Sequence, residues 1–281
     1  MALKLIYITN DPRVAHIAET YGVDSIMVDL ETLGKEERQK GLNTVKSNHN
    51  LNDIKNVSNV LTSSELLVRI NPWNEGSLNE IESVISAGAD RIMLPMWKSA
   101  KEVDMFLKVV GSRVRTTLLL ETKEAVECLD EVLENNLIDE IYIGLNDLHL
   151  SYGKTFMFEL LVDGTVQNLC DKIKRKGVPF GFGGIARIGE GCLPAERIVM
   201  EHYRLGSKRV ILSRTFCNVG QIKNISEIQK IFSENIKKLR DYELTLENLS
   251  AESFKENQRC ISECVNEIVK TIKERKLCTL K

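Results

Sequence analysis

The chain reads as an α/β protein, a (β/α)8 TIM barrel with a C-terminal helical extension. Eight short, β-rich apolar runs alternate with longer helical stretches over about 220 residues, a spacing that suits a closed barrel. Most of these runs are continuously apolar rather than alternating, as parallel strands buried on both faces are. An open dinucleotide-binding sheet would need Gly-x-Gly-x-x-Gly after an early strand. Instead, the first run is followed by Thr9-Asn-Asp-Pro-Arg13, and the Gly-rich stretch Gly181–Gly184 comes late with a different spacing.

The predicted strands are Leu3–Thr9, Ser25–Leu30, Glu65–Ile70, Asp90–Leu94, Arg115–Leu120, Glu140–Gly144, Val178–Phe182 and Arg209–Ser213. Helices between them end at recognisable stops, such as Ser86-Ala-Gly-Ala-Asp90 and Tyr203-Arg-Leu-Gly206. Residues 33–56 are polar and rich in Lys, Asn and Glu, which predicts a long loop or short-helix insert after the second strand. Residues 1–221 are expected to form the barrel core, and residues 222–281 helices that complete it and contribute to oligomerisation. In that tail Phe254, Ile261, Val265, Ile268 and Ile272 make one apolar stripe, suited to the chain's own barrel or to a second subunit. Either way, we expect a homo-oligomer.

The bulk numbers narrow the function. With 281 residues, 43% hydrophobic and 28% charged, the balance is that of an ordinary globular protein. A net charge of −2 gives no electrostatic reason to bind nucleic acid or an anionic membrane. No apolar run approaches the roughly 20 residues needed to cross a bilayer. The apolar start, Met1 to Ile8, reads as a buried first strand rather than a signal peptide. Seven scattered cysteines without a Cys-x-x-Cys pair read as reduced thiols, which points to a cytoplasmic protein. Cys260 and Cys264 have no matching His pair to complete a zinc site.

Barrel catalysis sits at the carboxyl ends of the strands, so polar strand ends are the candidates. The fifth strand ends in Glu121, and the sixth is followed by Leu145-Asn146-Asp147. Adjacent strand ends are close enough for two carboxylates to share a hard divalent cation such as Mg2+ or Mn2+. Alternatively, each acid caps the helix or turn that follows. Arg69 alternates with Leu67 and should point into the barrel, where its guanidinium needs an anion. That anion is a substrate carboxylate gripped bidentately, or Asp29 or Glu31 in a structural pair. Asp29 and Glu31 also qualify as groups holding metal-bound waters or as a base. His49 and His149 fall on the active face as candidate proton carriers, whereas His16 and His202 lie in helical patterns. Gly183, Gly184, Arg187 and Arg214, at the ends of strands seven and eight, form a candidate anion site; the glycines equally allow close packing.

With these residues placed, the chain resembles the HpcH/HpaI aldolase and citrate lyase β-subunit family, of the phosphoenolpyruvate/pyruvate-type barrels. The likeness spans roughly residues 3 to 216 and rests on Gly22–Glu31, Val68–Asn71, Gly88–Pro95, Leu120–Thr122 and Ile143–Leu148 with Gly153, in strand order. The resemblance implies Glu121 and Asp147 as metal ligands and Arg69 as the arginine that binds the 2-oxo acid and helps stabilise its enolate. Backbone around Gly144, Leu145 and Asn146 would line the substrate site. The implied activity is a metal-dependent aldolase acting on a 2-oxo acid such as pyruvate and an aldehyde. Alternatives are a Claisen-type lyase or synthase using an acyl-CoA or oxaloacetate, and a non-catalytic metabolite-binding barrel. The sequence departs from the family where an aldolase carries a histidine base: Thr32 stands there. The base then falls to Glu31, His49 or a metal-bound hydroxide, and Lys98 leaves a Schiff-base variant open.

Overall fold

Eight parallel strands hydrogen-bond in chain order and close on themselves, β8 returning to β1. They are β1 (Lys4–Ile8), β2 (Ser25–Asp29), β3 (Glu65–Arg69), β4 (Arg91–Leu94), β5 (Arg115–Leu120), β6 (Ile141–Ile143), β7 (Phe180–Ile185) and β8 (Arg209–Leu212). This computed structural model describes residues 2–34 and 49–278, so most of the predicted insert at 33–56 lies outside the described residues. Twelve helices are present among the described residues: α1 (Pro12–Thr20), α2 (Leu51–Ser58), α3 (Ser77–Ser86), α4 (Ala100–Val110), α5 (Lys123–Glu127), α6 (Leu129–Val132), α7 (Leu145–Ser151), α8 (Glu159–Val162), α9 (Thr165–Arg175), α10 (Ala195–Leu205), α11 (Ile225–Leu246) and α12 (Ala251–Cys278).

Local chemistry explains the elements. Asp11 caps α1 with Pro12 at its first position, and Asn50 and Asp53 form a capping box on α2. At the amino ends of the strands, an aspartate just before one strand accepts from the backbone of its neighbour. Asp24 takes Leu5 N–H, Asp90 takes Leu66 N–H and Asp139 takes Thr116 N–H, each at 2.8 Å. Glu19, at the end of α1, accepts the N–H groups of Thr62, Ser63 and Ser64 at 2.6–2.8 Å and fixes the approach to β3.

Strand seven differs from expectation. It starts two residues later than predicted and runs through the glycines to Ile185. A Cβ on Gly181 would sit 2.5 Å from Arg209 O and 2.6 Å from the Tyr142 ring, so the glycine lets three strands close up at a register shift.

Strand alternation sorts the inward side chains into tiers. At the base, Glu65 pairs with Arg91 and Arg209 at 3.0 Å each, and Arg209 reaches Glu140 at 3.3 Å. Thr117 donates to the other Glu140 oxygen, and Ser25 adds a hydrogen bond to Glu65. Two residues further along, Ile6, Met27, Leu67, Met93, Leu119 and Tyr142 fill the barrel with an apolar plug. Two further still come Asp29, Arg69 and Glu121. The outward faces pack on the helices in one continuous core.

The tail folds onto its own barrel. On α11, Glu243 accepts Leu3 N–H at 2.7 Å, and Arg240 donates to Leu3 O at 2.8 Å. On α12, Ile261 and Val265 of the predicted stripe are buried, whereas Phe254, Ile268 and Ile272 are half-buried. Asn257 donates to Arg197 O on α10 at 3.1 Å.

Candidate functional site

A cavity of about 660 Å³ opens at the carboxyl ends of the strands, with the apolar plug as its floor. Asp29, Glu31, His49, Arg69, Glu121, Gly144, Leu145, Asn146, Asp147, Gly183, Gly184 and Arg214 all line it, so one cavity gathers nearly every candidate read from the sequence. Arg187 does not reach the cavity; it pairs with Glu190 at 3.0 Å instead. The candidate anion corner therefore keeps Arg214 but loses its second arginine.

Arg69 lies directly opposite Asp29 in the β2–β3 register. That register forms the structural pair: Nε and one terminal nitrogen meet Asp29 at 2.9 and 2.8 Å, and the other terminal nitrogen lies 3.4 Å from Glu31. The bidentate edge expected to grip a substrate is thus occupied. Burial opposes the Arg69 charge, but Asp29, then Glu31 and Glu121, overcome it and raise its pKa, so the guanidinium stays cationic.

Glu121 serves no helix cap. Thr122 caps α5, its hydroxyl accepting from Ala125 N–H, and Asp147 stands in the first turn of α7, whose N-cap is Gly144. One Glu121 oxygen accepts Met96 N–H at 3.1 Å. Met96 holds a left-handed φ of 53°, an unfavourable backbone that aims this donor at the carboxylate. The other oxygen lies against Gly144, where a Cβ would come within 2.8 Å of it. Burial first and Asp147 second raise the Glu121 pKa well above the usual carboxylate range, with Arg69 pulling the other way. Two repelling acids with hard oxygen donors fit a divalent cation, which would remove the repulsion. Among the described residues no group of three His, Cys, Asp or Glu side chains is arranged to hold an ion, so water and substrate oxygens would complete the set.

Thr32 is tied down: its N–H donates to Asn71 Oδ1 at 2.9 Å, and Asn71 in turn donates to Glu80 at 2.8 Å. His49 Nδ1 accepts Asp29 N–H at 3.0 Å. In the neutral ring the proton then sits on Nε2, so this geometry makes His49 a donor rather than a base. Glu31 is buried, with its carboxylate 3.4 Å from the Arg69 guanidinium. His149 turns its Nδ1 to Leu145 O and does not line the cavity, and exposed Lys98 does not line it either. His202 is a packing residue, stacked on Phe182 at 3.8 Å, and His16 is exposed beside Glu19.

Sequence reasoning missed Thr9 and Asn10 after β1, Met157, and the loop after β8 from Cys217 to Lys223. Only the general rule that loops follow barrel strands could have pointed to them. The left-handed Met96 has no sequence signature.

A profile of the HpcH/HpaI aldolase/citrate lyase family matches residues 5–158. No curated protein sequence matches the chain. Among solved structures, an HpcH/HpaI aldolase/citrate lyase family protein from Burkholderia cenocepacia J2315 superposes with a TM-score of 0.62 at 13% identity, covering 81% of this chain and 94% of that one. An HpcH/HpaI aldolase from Desulfitobacterium hafniense DCB-2 gives 0.60 at 15% identity, covering 89% and 94%. The citrate synthase SbnG gives 0.57 at 16% identity, covering 75% and 85%. At such identities the structural likeness speaks for the fold.

Proposed function

The chain belongs to the HpcH/HpaI aldolase/citrate lyase family, and from that premise we propose that it is a carbon–carbon lyase making or breaking a bond beside a 2-oxo acid such as pyruvate. Family membership supports lyase-type chemistry. The observation that carries the finer reading is the paired Glu121 and Asp147 beside a permanently cationic Arg69 over an apolar floor. Glu121 and Asp147 would hold Mg2+ or Mn2+, which when bound acts as a Lewis acid on the 2-oxo group.

The chain's own residues do the rest. Met96 N–H and Gly144 fix the Glu121 carboxylate between them. Arg69, held by Asp29, keeps positive charge where negative charge develops on the substrate, in a site whose floor excludes water. Glu31 takes up or returns the proton, and His49 Nε2–H donates to a substrate oxygen.

The test is exchange of pyruvate methyl protons in D2O with Mn2+, followed by NMR. Exchange should require metal and fall at least a hundredfold in Glu121→Gln and in Asp147→Asn. Metal-dependent exchange that survives both substitutions would sink the assignment.

A further inference from the structure

Between Glu31 and Thr32 the chain leaves the buried site for solvent. Backbone at such an exit usually gives its hydrogen bonds to water and is mobile. Here each amide from Asp29 to Leu33 has a protein acceptor instead. Asp29 N–H donates to His49 Nδ1 at 3.0 Å, Leu30 N–H to Arg69 O at 2.9 Å and Glu31 N–H to Asp29 Oδ1 at 3.2 Å. On the exposed side, Thr32 and Leu33 N–H both donate to Asn71 Oδ1, at 2.9 and 3.0 Å. The Thr32 hydroxyl adds a longer bond to the same oxygen, at 3.3 Å.

Asn71 is itself held from behind. It stands two residues past Arg69, beyond the end of β3. Its Nδ2 and its own N–H donate to one Glu80 oxygen at 2.8 and 3.2 Å, and Glu80 lies in the first turn of α3. Only one orientation of the amide serves both sides, with oxygen toward the two backbone donors and nitrogen toward the carboxylate. Aspartate would set acceptor against acceptor at Glu80, and alanine would leave both sides unmade. Asn71 does not line the cavity, so it touches no substrate. What it adjoins is Glu31, whose carboxylate lies 3.4 Å from Arg69 on the other side.

Taking Glu31 as the group that moves the proton, as read above, we propose that Asn71, steadied by Glu80, is its positioning residue. The clasp on Thr32 and Leu33 fixes the exit of β2, keeps the Glu31 carboxylate beside Arg69, and acts on the reaction through Glu31 alone.

Exchange of pyruvate methyl protons in D2O with Mn2+, resolved into kcat and KM, tests this. Asn71→Ala should lower kcat about tenfold or more and leave pyruvate KM, and Mn2+ affinity by calorimetry, within about twofold, because a displaced proton carrier slows transfer without loosening binding. Asn71→Asp should lose as much, and adding Glu80→Gln, which puts a donor back opposite the new acceptor, should return kcat to within about threefold of wild type. In a Glu31→Gln background, Asn71→Ala should cost less than about twofold more. Amide hydrogen exchange reads the clasp directly: in Asn71→Ala, Thr32 and Leu33 should lose protection while the β3 amides keep theirs. Equal losses in kcat and in Mn2+ or pyruvate binding, an undiminished loss in the Glu31→Gln background, no recovery in Asn71→Asp/Glu80→Gln, or unchanged protection of Thr32 and Leu33 each overturn the proposal while metal-dependent exchange still stands. Full exchange in Glu31→Gln, or none in the unsubstituted protein, overturns the underlying reading, and this proposal with it.

Discussion

Replacing Gly144 by alanine asks one methyl group to fit where the candidate site is tightest. The glycine has an ordinary φ of −83°, so the backbone accepts alanine without strain and the whole cost is steric. The new Cβ would lie 2.8 Å from Glu121 Oε2, 2.9 Å from Glu121 Cβ and 3.2 Å from Leu119 Cδ1. Glu121 Cβ is fixed at the end of β5, so rotating the carboxylate away relieves only the first contact. Overpacking of this kind costs about 1–3 kcal/mol. A central loss of about 2 kcal/mol lowers Tm by about 4–8 °C. Displacing Glu121 by about an ångström should also cut metal-dependent pyruvate exchange about a hundredfold. Thermal melts with and without Mn2+, together with exchange rates, measure both effects. Gly22→Ala is the control: its φ of 92° strains an alanine, but nothing lies within 4 Å of the new atom. That variant should melt lower and keep full exchange. Wild-type stability and exchange in Gly144→Ala would refute the packing of Glu121 against Gly144.

Two further outcomes follow from the charges. Arg69→Lys keeps the charge but cannot span both Asp29 oxygens and approach Glu31, so urea titration should show a loss of about 1–3 kcal/mol; a loss under about 0.5 kcal/mol would mean the pair is not fixed in solution. Burial lowers the His202 pKa to about 3, so below pH 6.5 the unfolded chain takes up a proton that the folded chain refuses until about 3. Stability from this group is therefore complete above pH 6.5 and declines as pH falls. Between pH 7 and 5 the wild type should lose about 2 kcal/mol more than His202→Gln, and parallel pH profiles for the two proteins would contradict the buried, neutral ring.

Strand identity was legible because parallel strands covered on both faces leave apolar runs, and strand ends stood out because alternation carries Leu67 to Arg69 and Leu119 to Glu121. Pairing between strands was less legible. That Asp29 would meet Arg69 depends on the β2–β3 register, which no single strand encodes, and so its priority over a substrate carboxylate stayed open. The basal ionic tier escaped notice because Glu65, Arg91 and Arg209 each stand at a strand's first residue, where a charge usually means solvent. Gly183 and Gly184 fell beyond the predicted end of the strand because what approaches them, the Leu145 side chain and Ile211 O, lies in other elements. Lys223 belongs to a loop without a motif, just before the cap of α11.

The layering inside the barrel separates durability from chemistry. Glu65 and Arg69 begin and end the same strand, about 13 Å apart at about 3.3 Å per residue, with hydrocarbon between them. The lower ring of ions can rivet the cylinder shut without its field dictating what happens at the rim. Reactive groups at the mouth can consequently be exchanged one for another while the foundations go on holding the staves in place.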